Sequence, residues 1–425
     1  MFNWYRGGSR QEKRTFWACY FGWALESFDV QIYSFLLPTL VAAWSLTKPE
    51  AGAIGTISLL SAAIGGWLAG IFSDRIGRVK ILMFTVLWFA LFGLLSGFAQ
   101  SYEQLLVVRA LQGLGFGGEW AVGAALMAEV TRPEVRGRAL GFIQSGFCLG
   151  WVAAVAVATY TLAHFPTEFG WRAAFWITAV PGLLIVLVRF RVQESPIYRQ
   201  AARSTGKEKA NLGSVFRREH IRTSMIAAAF VFGLQAAAYV VTIWIPSLLA
   251  ERHMRSGSMI ETILLMAGGT FLGFAFTATY CDRWGRRPIL LFMTIGSWIV
   301  TLLYCFVPLS PWITQVLGML VGFFVIGMFA AVGPFLSELF PTEVRTTCMG
   351  FSYNVGKTFG ALAITAVGYV STKTGLATAI GGCCFAAYLI STAALLSLPE
   401  TKDTRLDDVF ANKDKRPDAL ESPAA

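Results

Sequence analysis

Charge is what this sequence has least of. Only 14% of its 425 residues are Asp, Glu, Lys or Arg, against about 25% in ordinary soluble domains. With 55% of the chain hydrophobic, that deficit excludes the two or three soluble domains that the length alone suggests and points to a bilayer as solvent. A phosphate-binding Gly-Lys-Ser/Thr loop is also missing, so nothing supports ATP as the energy source. The seven cysteines, Cys19, Cys148, Cys281, Cys305, Cys348, Cys383 and Cys384, lie in or beside apolar runs and are odd in number. They show no metal-ligand spacing, and they read as small apolar residues rather than a disulfide framework, the adjacent Cys383–Cys384 included. No nucleophile–base or metal constellation appears, which argues against an enzyme and against any cofactor or metal. Met1 to Arg14 is a short basic lead-in without a small-residue cleavage site, so no cleavable signal peptide is expected.

What is present is a series of long apolar runs. About twenty apolar residues cross a hydrocarbon core, and twelve segments qualify: 16–43, 51–72, 79–99, 103–128, 139–163, 172–190, 223–250, 257–280, 288–308, 311–336, 346–370 and 376–398. The fold class this implies is an all-α membrane protein of twelve transmembrane helices. With the N-terminus inside, 28 of the 35 Lys and Arg fall on the cytoplasmic side. Five fall outside (Lys48, Arg172, Arg252, Arg255 and Lys373), and Arg109 and Lys357 lie within spans. The net charge of +10 is therefore a topology signal, not a nucleic-acid footprint. The reading divides the chain into a six-helix half over 1–190, a central cytoplasmic loop over 191–222, a second half over 223–400 and a cytoplasmic tail over 401–425. The loop is basic and suited to anionic lipid; the tail is polar and expected to be disordered. The localisation expected is the cell inner membrane, with both termini cytoplasmic.

The two halves repeat. "GGWLAGIFSDRIGR" and "GFAFTATYCDRWGR" both hold Asp-Arg-x-Gly-Arg with a glycine, Gly65 or Gly273, nine residues before the aspartate. Asp74 and Asp282 are 208 residues apart; Glu134-Val-Arg136 and Glu343-Val-Arg345 are 209 apart. "QESPIYR" and "LPETKD" end the halves as a weaker third pair. Parallel repeats of this size suit a rocking transporter with its site between the halves. The loops suit a gate: Asp74 and Asp282 near helix N-termini, with Arg75, Arg78, Arg283 and Arg286 able to pair with Glu129 or Glu338. Exposed pairs of this kind contribute about 0.2–1 kcal/mol each and can reform every cycle. The plainer alternative is a tight loop whose charges only fix topology.

These paired loops resemble the signature loops of the major facilitator superfamily. "RALQGLGFGGE" is similar to its Arg-containing fourth-span motif, and "GWR" at 170–172, "ESP" at 194–196 and "PETK" at 399–402 are similar to its half-ending motifs. The resemblance covers nearly the whole chain. Within the superfamily, "GWALESFDVQIYSF" resembles the first span of metabolite:proton symporters, with Trp23 in place of the usual Asn and Ser27 in place of an aromatic. "YNVGKTFG" is similar to the eleventh span of sialate and aromatic-acid proton symporters, with Lys357 where Arg is usual. The fifth span lacks the Gly-Pro-rich pattern of proton-driven drug antiporters. The resemblance implies two pseudo-symmetric six-helix halves around a cavity lined by the first span of each.

Charges inside spans face a bundle interior or a wet cavity. Gly22, Glu26, Asp29 and Tyr33 share one helical stripe. At about 1.5 Å per residue, Asp29 lies roughly 20 Å from the cytoplasmic side. That is about 10 Å from the outside of a 30 Å core. Arg109 lies roughly 9 Å in from the outside, so an Asp29–Arg109 interaction is expected. Burial raises a carboxyl pKa and a nearby arginine lowers it; moving Arg109 relative to Asp29 therefore binds or releases a proton. Asp29 is the first candidate for the proton carrier and Glu26, nearer the midplane, the second; a permanent structural pair is the alternative. Lys357, about 17 Å into its span, shares a face with Asn354 and suits an anionic substrate, or else a protein carboxylate such as Glu26. Further cavity candidates are Tyr33, Gln144, Gln235, Tyr239 and Thr242, with Trp120 and Phe329 as packing surfaces. Glu119 is either a second proton station or a partner of a cytoplasmic arginine.

The expected function is proton-coupled uptake of a small organic acid anion by alternating access. The expected partners are that carboxylate, protons and the lipid bilayer, with no nucleic acid and a monomer as the working unit. Proton-driven export and a non-transporting membrane sensor of the same anion are the alternatives.

Overall fold

The computed structural model describes residues 3–132, 136–189, 192–194, 217–307, 310–340 and 345–402. A few side chains inside those ranges, among them Asp74, Arg75, Glu119, Trp120 and Asp282, lie outside the described set, as do Glu134, Glu343, most of the central loop and the tail beyond Lys402. After a short helix at Asn3–Arg6 come twelve long helical units and, among the described residues, no strand. They are α1 Arg10–Trp44, α2 Lys48–Ile76, α3 Arg78–Ser96, α4 Tyr102–Val130, α5 in two segments (Arg136–Gln144 and Gly146–His164) and α6 Thr167–Arg189. The second six are α7 Arg218–Glu251, α8 Ser256–Trp284, α9 Arg286–Phe306, α10 from Pro311 to Glu338, α11 Arg345–Thr374 and α12 Leu376–Ser397.

Local chemistry fixes the boundaries. Ser9 and Glu12 form a reciprocal capping box at the start of α1, and Thr47 and Glu50 form another at α2. Each satisfies backbone N–H groups that a helix start leaves open. The first cap makes α1 begin at Arg10, six residues before the apolar run does. Within α10, Gly322–Ile326 is a π-helical insert, a local widening that often accompanies function. Among the described residues, eight units are long and apolar enough to cross a membrane.

Packing divides the units into two sixes. In the first, α2 lies on α4, α1 on α5, and α3 on α4 and α6; in the second, α7 lies on α11 and α12, α8 on α10, and α9 on α12. The repeated glycines explain themselves here. A Cβ at Gly65 would strike the Leu114 carbonyl, and one at Gly273 the Phe323 carbonyl, so each glycine lets α2 meet α4, or α8 meet α10, backbone to backbone. Between the sixes the heaviest packing is α2 on α11. The Thr56 hydroxyl there bonds the Ala361 carbonyl at 2.9 Å and the Thr365 hydroxyl at 2.7 Å. Farther along the same seam Lys48 pairs with Glu251 at 2.6 Å. This seam lies on the face away from the Asp-Arg-x-Gly-Arg loops. At the loop-bearing, basic face, the described residues bring the first segment of α5 against α8 and the end of α10.

Two of the arginines assigned to outer loops turn out to be caps. Arg172 donates to the carbonyls of Gly97 and Ala99 beyond α3 at 3.0 and 2.6 Å. Arg252 donates to those of Tyr304 and Cys305 at the end of α9 at 2.9 and 3.0 Å. A cation there satisfies open carbonyls at a helix C-terminus, which is a reason for these charges to stand against the general bias. All seven cysteines are free.

Candidate functional site

Two clusters of polar side chains lie in the interior, both touching α1. The first is closed within the first six helices. Arg109 Nη1 donates to Asp29 Oδ2 at 2.8 Å and to Gln112 Oε1 at 2.6 Å. Gln112 Nε2 donates to Asp29 Oδ1 at 2.9 Å and to the Phe89 carbonyl at 3.4 Å. Both carboxylate oxygens are thus engaged, and Asp29, Arg109 and Gln112 are 2–3% exposed. The guanidinium also lies 5.1 Å from the Tyr33 ring centroid and 5.9 Å from that of Phe175. A buried ion pair needs such additional bonds to offset its desolvation. Gln112 was not among the residues singled out from the sequence. The signal was there: it follows Arg109 by three positions and so shares its face.

The second cluster straddles the two sixes. Glu26, 7% exposed, lines a cavity of about 210 Å³ with Gly22, Leu25, Thr85, Val86, Phe89, Gly115 and Phe116. Opposite it, from α7 and α11, are Tyr239, Tyr353 and Lys357, all within electrostatic reach of the Glu26 carboxylate. Gln235 Nε2 donates to the Tyr353 hydroxyl at 3.0 Å. Lys357 is half-buried, and its ammonium lies 5.8 Å from the centroid of Phe116 on α4. Among the described residues it makes no ion pair or hydrogen bond of its own. A cation–π contact of this kind contributes about 0.5–2 kcal/mol, less than a direct carboxylate partner in a dry interior.

Three of the candidate side chains bond the protein's own backbone. The Tyr33 hydroxyl donates to the Ala51 carbonyl at 2.6 Å, leaving only its ring on Arg109. The Asn354 amide turns back to the Gly350 carbonyl at 2.9 Å, and the Thr242 hydroxyl to that of Ala238 at 2.8 Å. In each case a donor on a helix wall reaches a nearby backbone acceptor, in the last two cases one turn back on its own helix. Gln144 ends the first segment of α5, half-buried and apart from both clusters. Tyr239 is half-buried beside Glu26.

The repeated loops give matching assemblies at the basic face. Gly77 and Gly285 hold φ of 121° and 105°, a backbone that L side chains resist. The next residue, Arg78 or Arg286, then reaches the end of the fourth or tenth span. Arg78 bonds Glu129 at 3.1 Å and the Ser73 hydroxyl at 2.9 Å. Arg286 bonds both oxygens of Glu338 at 3.1 Å and the Cys281 carbonyl at 2.8 Å. Glu194 accepts from the Val79 N–H at 3.2 Å, and Glu400 from the N–H groups of Arg286 and Arg287 at 2.9 and 3.0 Å. The half-ending motifs thus supply helix N-caps, a role their sequence spacing did not disclose. Each Arg–Glu pair stays inside its own half. Arg283 is exposed, 5.9 Å from the Tyr280 ring, and gives its carbonyl rather than its guanidinium to a partner, Lys402. The side chains of Asp74, Arg75, Asp282, Glu119 and Trp120 lie outside the described set.

The sequence matches the family described as Major Facilitator Superfamily over residues 19–365. It is 54% identical over 409 residues to the probable 4-methylmuconolactone transporter of Cupriavidus pinatubonensis, covering 96% of this chain and 95% of that one. It is 30% identical over 376 residues to the cis,cis-muconate transport protein of Acinetobacter baylyi, covering 86% and 89%. In three dimensions it is similar to the proton:xylose symporter XylE of E. coli, with a TM-score of 0.76 at 16% identity over 95% and 99% of the two chains.

Proposed function

We propose that this chain, which belongs to the major facilitator superfamily and is a membrane-embedded transporter, carries a small organic acid anion inward together with a proton. The basic face is the cytoplasmic one in this reading, and the membrane is the cell's own. The observation that carries the proposal is Lys357: a half-buried cation in the middle of α11, at the junction of the two halves, with no anion in direct contact among the described residues. Such a charge is costly in a bilayer unless it is solvated or paired, and a substrate carboxylate is the partner that fits a transporter. Phe116 against it and Tyr353 one turn back on the same helix offer aromatic surface, suited to an unsaturated acid such as the muconate named for one relative. Lysine is a compact charge without the planar fork of arginine, so it holds a carboxylate loosely enough to release it.

The proton is assigned to Asp29, with Glu26 next in line. Asp29 protonated gives up Arg109; Asp29 ionised takes it back. Alternation follows as the α2–α11 seam on one face and the contacts on the basic face open in turn, each half moving as a body braced by its own Arg–Glu pair.

The test is proton movement in vesicles of the purified protein challenged with a panel of carboxylic acids, muconate and muconolactone types included. Uptake with protons alkalinises the external medium when acid is added outside, and Asp29→Asn abolishes the signal. Alkalinisation inside, on acid loaded inside, turns the reading to export. A panel that binds but moves no protons and no acid turns it to sensing.

A further inference from the structure

Asp29 and Glu26 are one helical turn apart, yet different cavities open onto them. Asp29 lines a cavity of about 360 Å³ with Tyr33, Arg109, Gln112 and Ile243; Glu26 lines the one of about 210 Å³ beside Thr85 and Phe89. One residue belongs to both walls: Phe116. It follows Arg109 and Gln112 on the same stripe of α4, seven and four positions on, so that Arg, Gln and Phe are presented in turn to α1. Its ring is 8% exposed, lies 6.1 Å from that of Phe89, and takes the Lys357 ammonium on its face at 5.8 Å.

We propose that Phe116 is a proton partition: its ring divides the Asp29 side of the interior from the Glu26 side and yields when an anion draws Lys357 away from it. The inference rests on the uptake reading above. A proton passes between two carboxyl groups this close through bridging water, and a water needs two to four polar partners to be held. An apolar ring supplies none and interrupts the file. During uptake the proton leaves the Asp29 carboxyl group, crosses by water and is bound by the Glu26 carboxylate. Asp29 is then ionised and re-forms its bond with Arg109, the arrangement seen in this structure. With Lys357 resting on the ring and no acid bound, that transfer is blocked, and protons do not run down their gradient alone. Phe116 is in this sense a positioning residue for water rather than a proton carrier.

The experiment is proton leak into vesicles under an imposed pH gradient with no organic acid present. Phe116→Gln keeps the approximate bulk and offers hydrogen bonds, so it leaks at least tenfold faster than the unsubstituted protein. Phe116→Leu keeps an apolar wall and stays tight. Adding Asp29→Asn to Phe116→Gln removes the leak, which separates it from damaged membranes. A tight Phe116→Gln variant, or a Leu variant that leaks as fast as the Gln one, overturns the partition. If the unsubstituted protein moves no protons with any acid, the uptake reading falls, while the leak comparison still decides the role of Phe116.

Discussion

Asp29 and Glu26 sit three residues apart on one helix and live under different rules. Asp29 is held by Arg109 and Gln112 from α4, both oxygens engaged, inside one half of the molecule. Glu26 lies within electrostatic reach of Tyr239, Tyr353 and Lys357 from the other half. On the uptake reading, the first environment would survive a rocking motion of the halves and the second would be made and unmade by it. The lesson is that one turn of helix can carry a charge that belongs to a half and a charge that belongs to the relation between halves. Coupling a proton to an acid, as proposed, would use both.

The largest effect is expected where that division is struck hardest. Asp29→Asn leaves Arg109 without its counter-ion, a change of the kind that costs about 3–5 kcal/mol in a buried site. Accumulation of acid falls to the level of empty vesicles. Exchange of acid already on both sides persists, because Lys357 is untouched; loss of binding as well would merge the two environments into one. Next comes Lys357→Ala, which weakens acid affinity at least tenfold, or about 1.4 kcal/mol, as read by titration calorimetry, and which Lys357→Arg restores. Unchanged affinity removes Lys357 from the site.

Gln112→Leu should act more mildly and on the Asp29 side alone. It deletes hydrogen bonds to charged groups, worth about 1.5 kcal/mol or more. The maximal uptake rate falls about tenfold, while the acid concentration for half-maximal uptake stays put. A shift in that concentration with no change in rate would place Gln112 at the seam instead. The smallest effect comes from a third acid of the same helix, Glu12, outside the membrane-spanning part. Burial pushes its carboxyl up, but bonds from the Ser9 N–H, the Arg132 N–H and the Arg132 guanidinium outweigh this and hold it below the usual range. Its stabilising contribution is therefore present above the unfolded-state value of about 4.3 and is lost as pH falls through the lower folded value. Thermal unfolding in detergent between pH 6 and 3 should show this dependence, flattened in Glu12→Gln, with acid transport at neutral pH unaffected.

Much of this arrangement was open to reading before any coordinates. Twelve apolar runs, their basic asymmetry and the 208-residue repeat specify the fold because membrane spans obey length and charge rules that need no tertiary detail. Depth counting brought Asp29 and Arg109 to one level because helices rise evenly. It did not disclose which donors would turn inward: Tyr33 to Ala51, Asn354 to Gly350 and Thr242 to Ala238 each depend on a backbone acceptor within reach, which apolar pattern does not report. Gln112 was missed because a glutamine among glycines on α4 looks like packing until its two neighbours are placed. Of the pairs the loops allowed, Arg78–Glu129 and Arg286–Glu338 form. Whether such a pair joins two halves or braces one is decided by helix packing, and here it braces.

The seam between α2 and α11 has an electrical consequence. From Lys48 to Thr56 the helix advances roughly 12 Å, about two fifths of a 30 Å core, through closely packed, low-dielectric contacts. Membrane potential falls most steeply where the barrier is driest, so in this conformation a large share of the voltage lies across that seam. A unit charge gains about 2.3 kcal/mol per 100 mV over the full thickness, so about 0.9 kcal/mol over this part. If the seam opens as the uptake reading has it, the field settles on the other face and sweeps across Asp29, Arg109, Glu26 and Lys357. On that reading, voltage acts on the reorientation of the protein's own charges more than on the drift of its passengers. Turnover in energised vesicles should accelerate with potential even for an acid and proton that together carry no net charge.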